Sequence, residues 1–159
     1  MPSPAEQTLR LRTSSSRERD ARRLGGLHPA LATYMMRILD AMEVLGFPMF
    51  VTYGIRSDEE QAALYAKGRT APGKIVTNVD GRLKKSMHQL QLDGWGHAVD
   101  CAFIDDPETE KIETWDPLQP WDVYGTMGEA YGLTWGGRWR TLVDRPHLEL
   151  SLNWKELRP

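Results

Sequence analysis

The sequence predicts an α+β fold, a small antiparallel sheet with helices packed on it. Three observations lead there. The chain has 159 residues, a length that suits one domain with one core. Helical periodicity fills its first third. Short strand-like segments with one inserted helix fill its last third, and helices segregated from strands in this way make α+β.

The elements follow in order. Residues 1 to about 14 are polar and without clear period, and read as a mobile arm. A short helix is expected from near Ser16. Its Arg17, Arg19, Arg22 and Arg23, mixed with Glu18 and Asp20, predict a solvated face, with attraction to an anionic surface as the alternative. Pro29 suits a first helical position. Leu31, Tyr34, Met35, Ile38, Met42 and Leu45 then recur at steps of three and four, and Gly46 stops the helix. Phe47 to Tyr53 reads as a strand. Ser57 to Glu60 is a capping box opening a helix to about Lys67.

Residues 68 to 87 lack any period and form a long loop, a feature often tied to function. His97 to Ile104 alternates as a strand, with Ala98, Asp100 and Ala102 on one face and His97, Val99, Cys101 and Phe103 on the other. A polar connection from Asp105 to Pro120 leads to a helix over Trp121 to Tyr131, ended by Gly132. Leu133 to Trp135 and His147 to Leu150 are short strands.

Composition narrows the function. A net charge of -2 and a pI near 6.1 argue against a nucleic-acid-binding protein. The single cysteine, Cys101, permits no internal disulfide and is expected as a small buried hydrophobe. No apolar run is long enough for a membrane span, and the N-terminal segment lacks the apolar region of a signal peptide. The chain is therefore expected to stay in the cytoplasm of the producing cell until something releases it.

Chemistry concentrates around the four histidines, His28, His88, His97 and His147. His28 precedes a helix and is expected to cap it. Ser86-Met-His88 leads into Gly96-His-Ala-Val-Asp100, and Asp144-Arg-Pro-His147 closes the domain. Two imidazoles and a carboxylate would leave a zinc coordination position open for water, as a hydrolytic site requires. Spacing alone does not establish such a site, because a histidine near an aspartate is more often a plain hydrogen-bonded pair.

Four segments between Thr52 and Leu150 carry a family resemblance. They are Tyr53-Gly-Ile-Arg-Ser57 with Gln61 and Leu64-Tyr65; Gly68-Arg-Thr70 with Pro72-Gly73 and Val76-Thr77; Ser86-x-His88 with Gly96-x-Ala-x-Asp100; and Gly132 to Trp139 with Asp144-x-Pro-His147. Together, in this order, they resemble the D-alanyl-D-alanine metallopeptidase superfamily, in the VanY-like branch that includes phage L-alanyl-D-glutamate endopeptidases. The resemblance implies a Hedgehog/DD-peptidase-like fold with one zinc ion per chain on the sheet, held by His88, Asp100 and His147. It implies Asp144 as catalytic base and Arg56 as the residue that binds substrate or stabilises its oxyanion. Gln61 and Ser86 are expected to line the site.

The implied activity is hydrolysis of the L-Ala-D-Glu bond of the peptidoglycan stem peptide, as in a phage endolysin. The alternatives are a D-alanyl-D-alanine carboxypeptidase and an inactive zinc- or wall-binding module. Asp144 favours an enzyme, since a binding module does not need a carboxylate there. A monomeric single peptidase domain over residues 1–159, without a separate wall-binding domain, is expected.

One departure stands out. Compact members have a shorter spacer after the first histidine, whereas Gln89 to Trp95 intervene here. That leaves His97 as a rival ligand, although strand alternation turns it away from Asp100. Trp135 and Trp139 flank Gly136-Gly137 and either line a substrate groove or pack under the loop; Trp135 is carried as a candidate groove residue. Glu149 shares a face with His147. A solvated strand end is the preferred reading, and a partner for His147 is the alternative.

Overall fold

The computed structural model describes residues 12–104 and 117–151. Helix α1 (Ser14–Leu24) and helix α2 (Pro29–Val44) precede strand β1 (Met49–Tyr53) and helix α3 (Asp58–Ala66). After the long loop come strand β2 (Ala98–Phe103), helix α4 (Trp121–Ala130), strand β3 (Leu133–Trp135), a single 3-10 turn (Gly136–Arg138) and strand β4 (His147–Leu150). The four strands form one antiparallel sheet in the order β1-β2-β4-β3. The α+β expectation therefore holds. The expected connection from Asp105 onward lies outside the described residues up to position 116.

Helix α2 buries Leu31, Tyr34, Met35, Ile38 and Met42, as its period predicts, together with Leu39, whereas Leu45, also expected on that stripe, caps the helix end and is exposed. These side chains join Val51, Val99, Cys101, Phe103, Tyr124, Trp135 and Leu148 in the main core. Cys101 is fully buried, as expected. His28 caps α2 by accepting the Ala30 N–H at Nδ1, 3.1 Å away. The capping box of α3 forms in full: Ser57 Oγ accepts the Glu60 N–H and Glu60 accepts the Ser57 N–H.

The N-terminal region departs from expectation. Arg12 belongs to no arm. It is buried and donates to Asp20 (2.8 Å), Asp40 (2.7 Å) and Glu43 (2.7 Å). Thr13 caps α1, which starts at Ser14. The arginine face of α1 is also less solvated than predicted. Arg17 pairs with Asp40 and Glu43, and Arg23 donates to the Val51 carbonyl at 2.6 Å. Asp20 accepts the Val51 N–H at 2.8 Å. Strand β1 is a sheet edge, and an exposed edge carries unpaired backbone groups. Side chains of α1 satisfy both groups of Val51, so the charges serve docking of the helix. Residues 1–11 of the expected arm lie outside the described residues.

Candidate metal centre and active site

Sheet register brings the first two site residues together. Asp100 on β2 lies directly opposite His147 on β4, so their side chains emerge side by side on one face. Asp100 Oδ1 is 3.1 Å from His147 Nδ1. Strand β1 carries an irregularity between Val51 and Tyr53, beside Asp100, a feature common next to active sites. The chain leaving β1 receives the third residue: the Arg56 N–H donates to the His88 carbonyl (2.9 Å), and His88 Nδ1–H donates to the Gly54 carbonyl (2.8 Å). His88 Nε2 then faces Asp100 Oδ2 at 3.3 Å.

The ligand atoms of His88, Asp100 and His147 all lie within 4.8 Å of one another. Four ligands in a tetrahedron with bonds of about 2.0–2.1 Å sit roughly 3.3 Å apart, so the two close separations fit a zinc ion. The hydrogen bonding fits as well. A carbonyl can only accept, so His88 must carry its proton on Nδ1, which leaves a lone pair on Nε2. That nitrogen is buried and makes no hydrogen bond, an arrangement that ordinarily needs an explanation. His147 Nε2 is 2.7 Å from Glu149 Oε2, which leaves Nδ1 facing the cluster.

Electrostatics follow from this packing. Burial works against ionised Asp100, but the hydrogen bond with His147 and the closeness of the two imidazoles outweigh it and hold the carboxyl below its usual range. Burial likewise opposes a charged His147, yet its contacts with Asp100 and Glu149 push it up to about 10. Asp144 moves the other way: burial and the nearby Asp100 charge raise its pKa.

Asp144 lies 4.0 Å from His147 Nδ1. Its loop is anchored at successive carbonyls, Arg145 by the Trp135 indole N–H and Pro146 by the Tyr124 hydroxyl, each at 2.8 Å. Gly136 permits the close approach: a Cβ there would meet the Asp144 carbonyl oxygen at 2.4 Å.

The remaining expected residues divide. Trp135 lines no groove: it is 3% exposed, packed against Gly125 with its indole N–H already used. The half-buried Trp139, with its ring 4.9 Å from that of His147, is the aromatic beside the site. Gln61 is fully buried and cannot meet substrate directly. It accepts from Arg56 Nη1 (2.9 Å) and donates to the Val79 carbonyl (2.7 Å), so it fixes Arg56 and the long loop. Ser86 is half-buried, and its hydroxyl accepts the His88 N–H at 3.3 Å. His97 is engaged elsewhere: its Nε2 pairs with Asp93 at 2.8 Å. Asp93 belongs to the inserted segment, a turn closed by Gln91 N–H to Trp95 O and Gly94 N–H to Gln91 O.

Glu149 corrects the preferred sequence reading, since it contacts His147 and is no free strand end. Strand alternation was the signal for it. Gln89, buried next to His88, was missed altogether. It joins Asp58, the Gly81 carbonyl and the Ser86 N–H, and nothing local marks such long-range contacts.

Two buried histidines and a half-buried carboxylate beside an antiparallel sheet, with a further carboxylate next to them, make the donor set that a metal-dependent hydrolase requires. Residues 80–150, which contain all four of these side chains, match the family described as D-alanyl-D-alanine carboxypeptidase. The chain is 31% identical over 127 residues to the peptidoglycan L-alanyl-D-glutamate endopeptidase CwlK of Bacillus subtilis (strain 168), covering 80% of this chain and 75% of that protein. The fold is similar to the crystal structure of the Serratia marcescens L-Ala D-Glu endopeptidase ChiX, with a TM-score of 0.56 and 23% identity over 97% of this chain and 96% of the other. The chain belongs to this D-alanyl-D-alanine carboxypeptidase family of metal-dependent peptidases.

Proposed function

We propose that the chain is a zinc-dependent endopeptidase that hydrolyses the L-alanyl-D-glutamate bond of the peptidoglycan stem peptide. The observation that carries the chemistry is the buried His88 Nε2, without a hydrogen bond and aimed at the same space as Asp100 and His147 Nδ1. The bond assignment rests on likeness to CwlK, named for that cleavage, and on the endopeptidase-like pattern of Gly68-Arg-Thr70, Val76-Thr77 and Asp144-x-Pro-His147.

His88, Asp100 and His147 would hold the zinc. When bound, zinc polarises the scissile carbonyl and lowers the pKa of a coordinated water to about 7. Asp144 takes the proton from the attacking water and returns it to the leaving amine. The attack breaks the C–N bond and yields a new carboxylate and a new amine. Arg56 is half-buried, with one guanidinium nitrogen on Gln61 and its Nε without a partner. In this reading it binds a stem-peptide carboxylate or the developing oxyanion. Trp139 flanks the bound peptide, and Ser86 and Gln61 position His88 and Arg56.

Purified peptidoglycan digested with the protein should yield fragments with new N-terminal D-glutamate, read by mass spectrometry, with the glycan intact. The description of the matching family favours a second reading, release of terminal D-alanine. Free D-alanine without new D-glutamate termini would establish that reading and reject the endopeptidase.

We extend the first reading to phage-driven host lysis by a monomeric enzyme, on the resemblance to phage endopeptidases. No helix among the described residues is long and apolar enough to cross a membrane. Added protein should clear suspensions of membrane-permeabilised cells and leave intact ones turbid, and light scattering should give the mass of one chain. Clearing of intact cells, or a dimer mass, would remove those extensions.

A further inference from the structure

Each histidine of a metal site must present one nitrogen to the ion and dispose of the proton on the other. His88 does this with a neutral acceptor, the Gly54 carbonyl. His147 does it with a carboxylate. We propose that Glu149 is a positioning residue for His147: it accepts the Nε2–H and thereby commits Nδ1 to the metal. This inference rests on the metal reading above.

The strand geometry builds the contact. Glu149 lies two residues beyond His147 on β4 and so shares its face. Its cross-strand neighbours, Ala98 on β2 and Thr134 on β3, are small and leave its side chain free to turn back along the strand. The result is a 2.7 Å contact between Glu149 Oε2 and His147 Nε2, at the short end for a charge-assisted bond. The Glu149 side chain is 20% exposed, and among the described residues it has no salt-bridge partner besides His147. A metal-bound histidine whose second nitrogen donates to a carboxylate is held in one tautomer and orientation and becomes the more basic ligand.

Asp93 and His97 make a pair of nearly the same length, 2.8 Å, so a carboxylate–imidazole contact is not distinctive by itself. The second nitrogen makes the difference. His147 Nδ1 faces Asp100 within the ligand cluster, and His97 is absent from that cluster.

The test is zinc affinity, measured by competition with a chromophoric chelator, for the parent and for Glu149→Leu, Glu149→Gln and Asp93→Leu. Glu149→Leu should weaken zinc binding about 10- to 100-fold. Glu149→Gln, whose amide oxygen can accept the same N–H, should recover most of that loss, and Asp93→Leu should match the parent. A leucine variant that binds zinc as tightly as the parent, or a glutamine variant as weak as the leucine one, overturns the proposal and leaves the metal reading standing. A parent that binds no zinc overturns both. A second readout does not depend on the variants folding. Proton–nitrogen correlation spectra of the zinc-loaded parent should show Nε2–H on His147 and Nδ1–H on His88. Nδ1–H on His147 would overturn the assignment.

Discussion

Two clusters of buried charged and polar side chains lie in this molecule, and they differ in one respect. Between α1 and α2, all three guanidinium nitrogens of Arg12 are paired with carboxylates, and Arg17 closes two of those carboxylates from outside. Over one face of the sheet, His88 and His147 are buried and Asp100 is half-buried, but His88 Nε2 has no hydrogen bond. The first cluster is complete as it stands. The second leaves a nitrogen lone pair without a hydrogen-bond donor. Burial and charge therefore do not distinguish a site from a structural network, whereas a buried lone pair without a donor does.

The largest expected effect belongs to the open cluster. Asp144→Ala should keep its zinc and lose at least about a hundredfold in peptidase rate, the usual scale for a general base. Assays on soluble muropeptides with parallel elemental analysis would show it. Full activity with bound zinc would remove Asp144 from the chemistry.

The closed cluster should fail in the opposite way. Arg12→Ala leaves Asp20 and Glu43 as buried carboxylates without their main partner, which should cost about 3–5 kcal/mol of stability. Chemical denaturation would measure this, while zinc per folded chain and rate per folded chain stay unchanged. Loss of metal at unchanged stability would reverse the roles assigned to the two clusters.

A smaller effect sharpens the contrast. His147 is raised to about 10, so at neutral pH the metal-free ring carries both protons. A metal at Nδ1 must displace one of them. Calorimetry in buffers of different ionisation enthalpy should read about one proton released per zinc at neutral pH from this ring, fading as pH passes the raised value. No release at neutral pH would mean that the ring is already neutral and that its contacts with Asp100 and Glu149 are weaker than drawn.

What was legible in the sequence was what repeats locally. The three- and four-residue steps of α2, the capping box at Ser57 and the alternation around Asp100 all describe neighbours a few residues apart, and each element formed as read. Alternation even separated Asp100 from His97. The ligand trio needed the family resemblance as well, because the register that sets Asp100 against His147 joins positions 47 apart. Arg12 was misread for the same reason: in sequence it sits in a polar stretch, and its partner Glu43 is 31 residues away. Trp135 next to two glycines looks alike whether it lines a groove or fills one. Only the indole bond to the Arg145 carbonyl and the packing on Gly125 decide for burial.

The central claim is that the open cluster holds the metal, with His88 and not His97 as its first histidine. Elemental analysis of purified protein, set against His88→Ala and His97→Ala, tests it most directly. The parent and His97→Ala should each carry one zinc per chain, and His88→Ala should carry little or none. Zinc retained in His88→Ala and lost in His97→Ala would contradict the account.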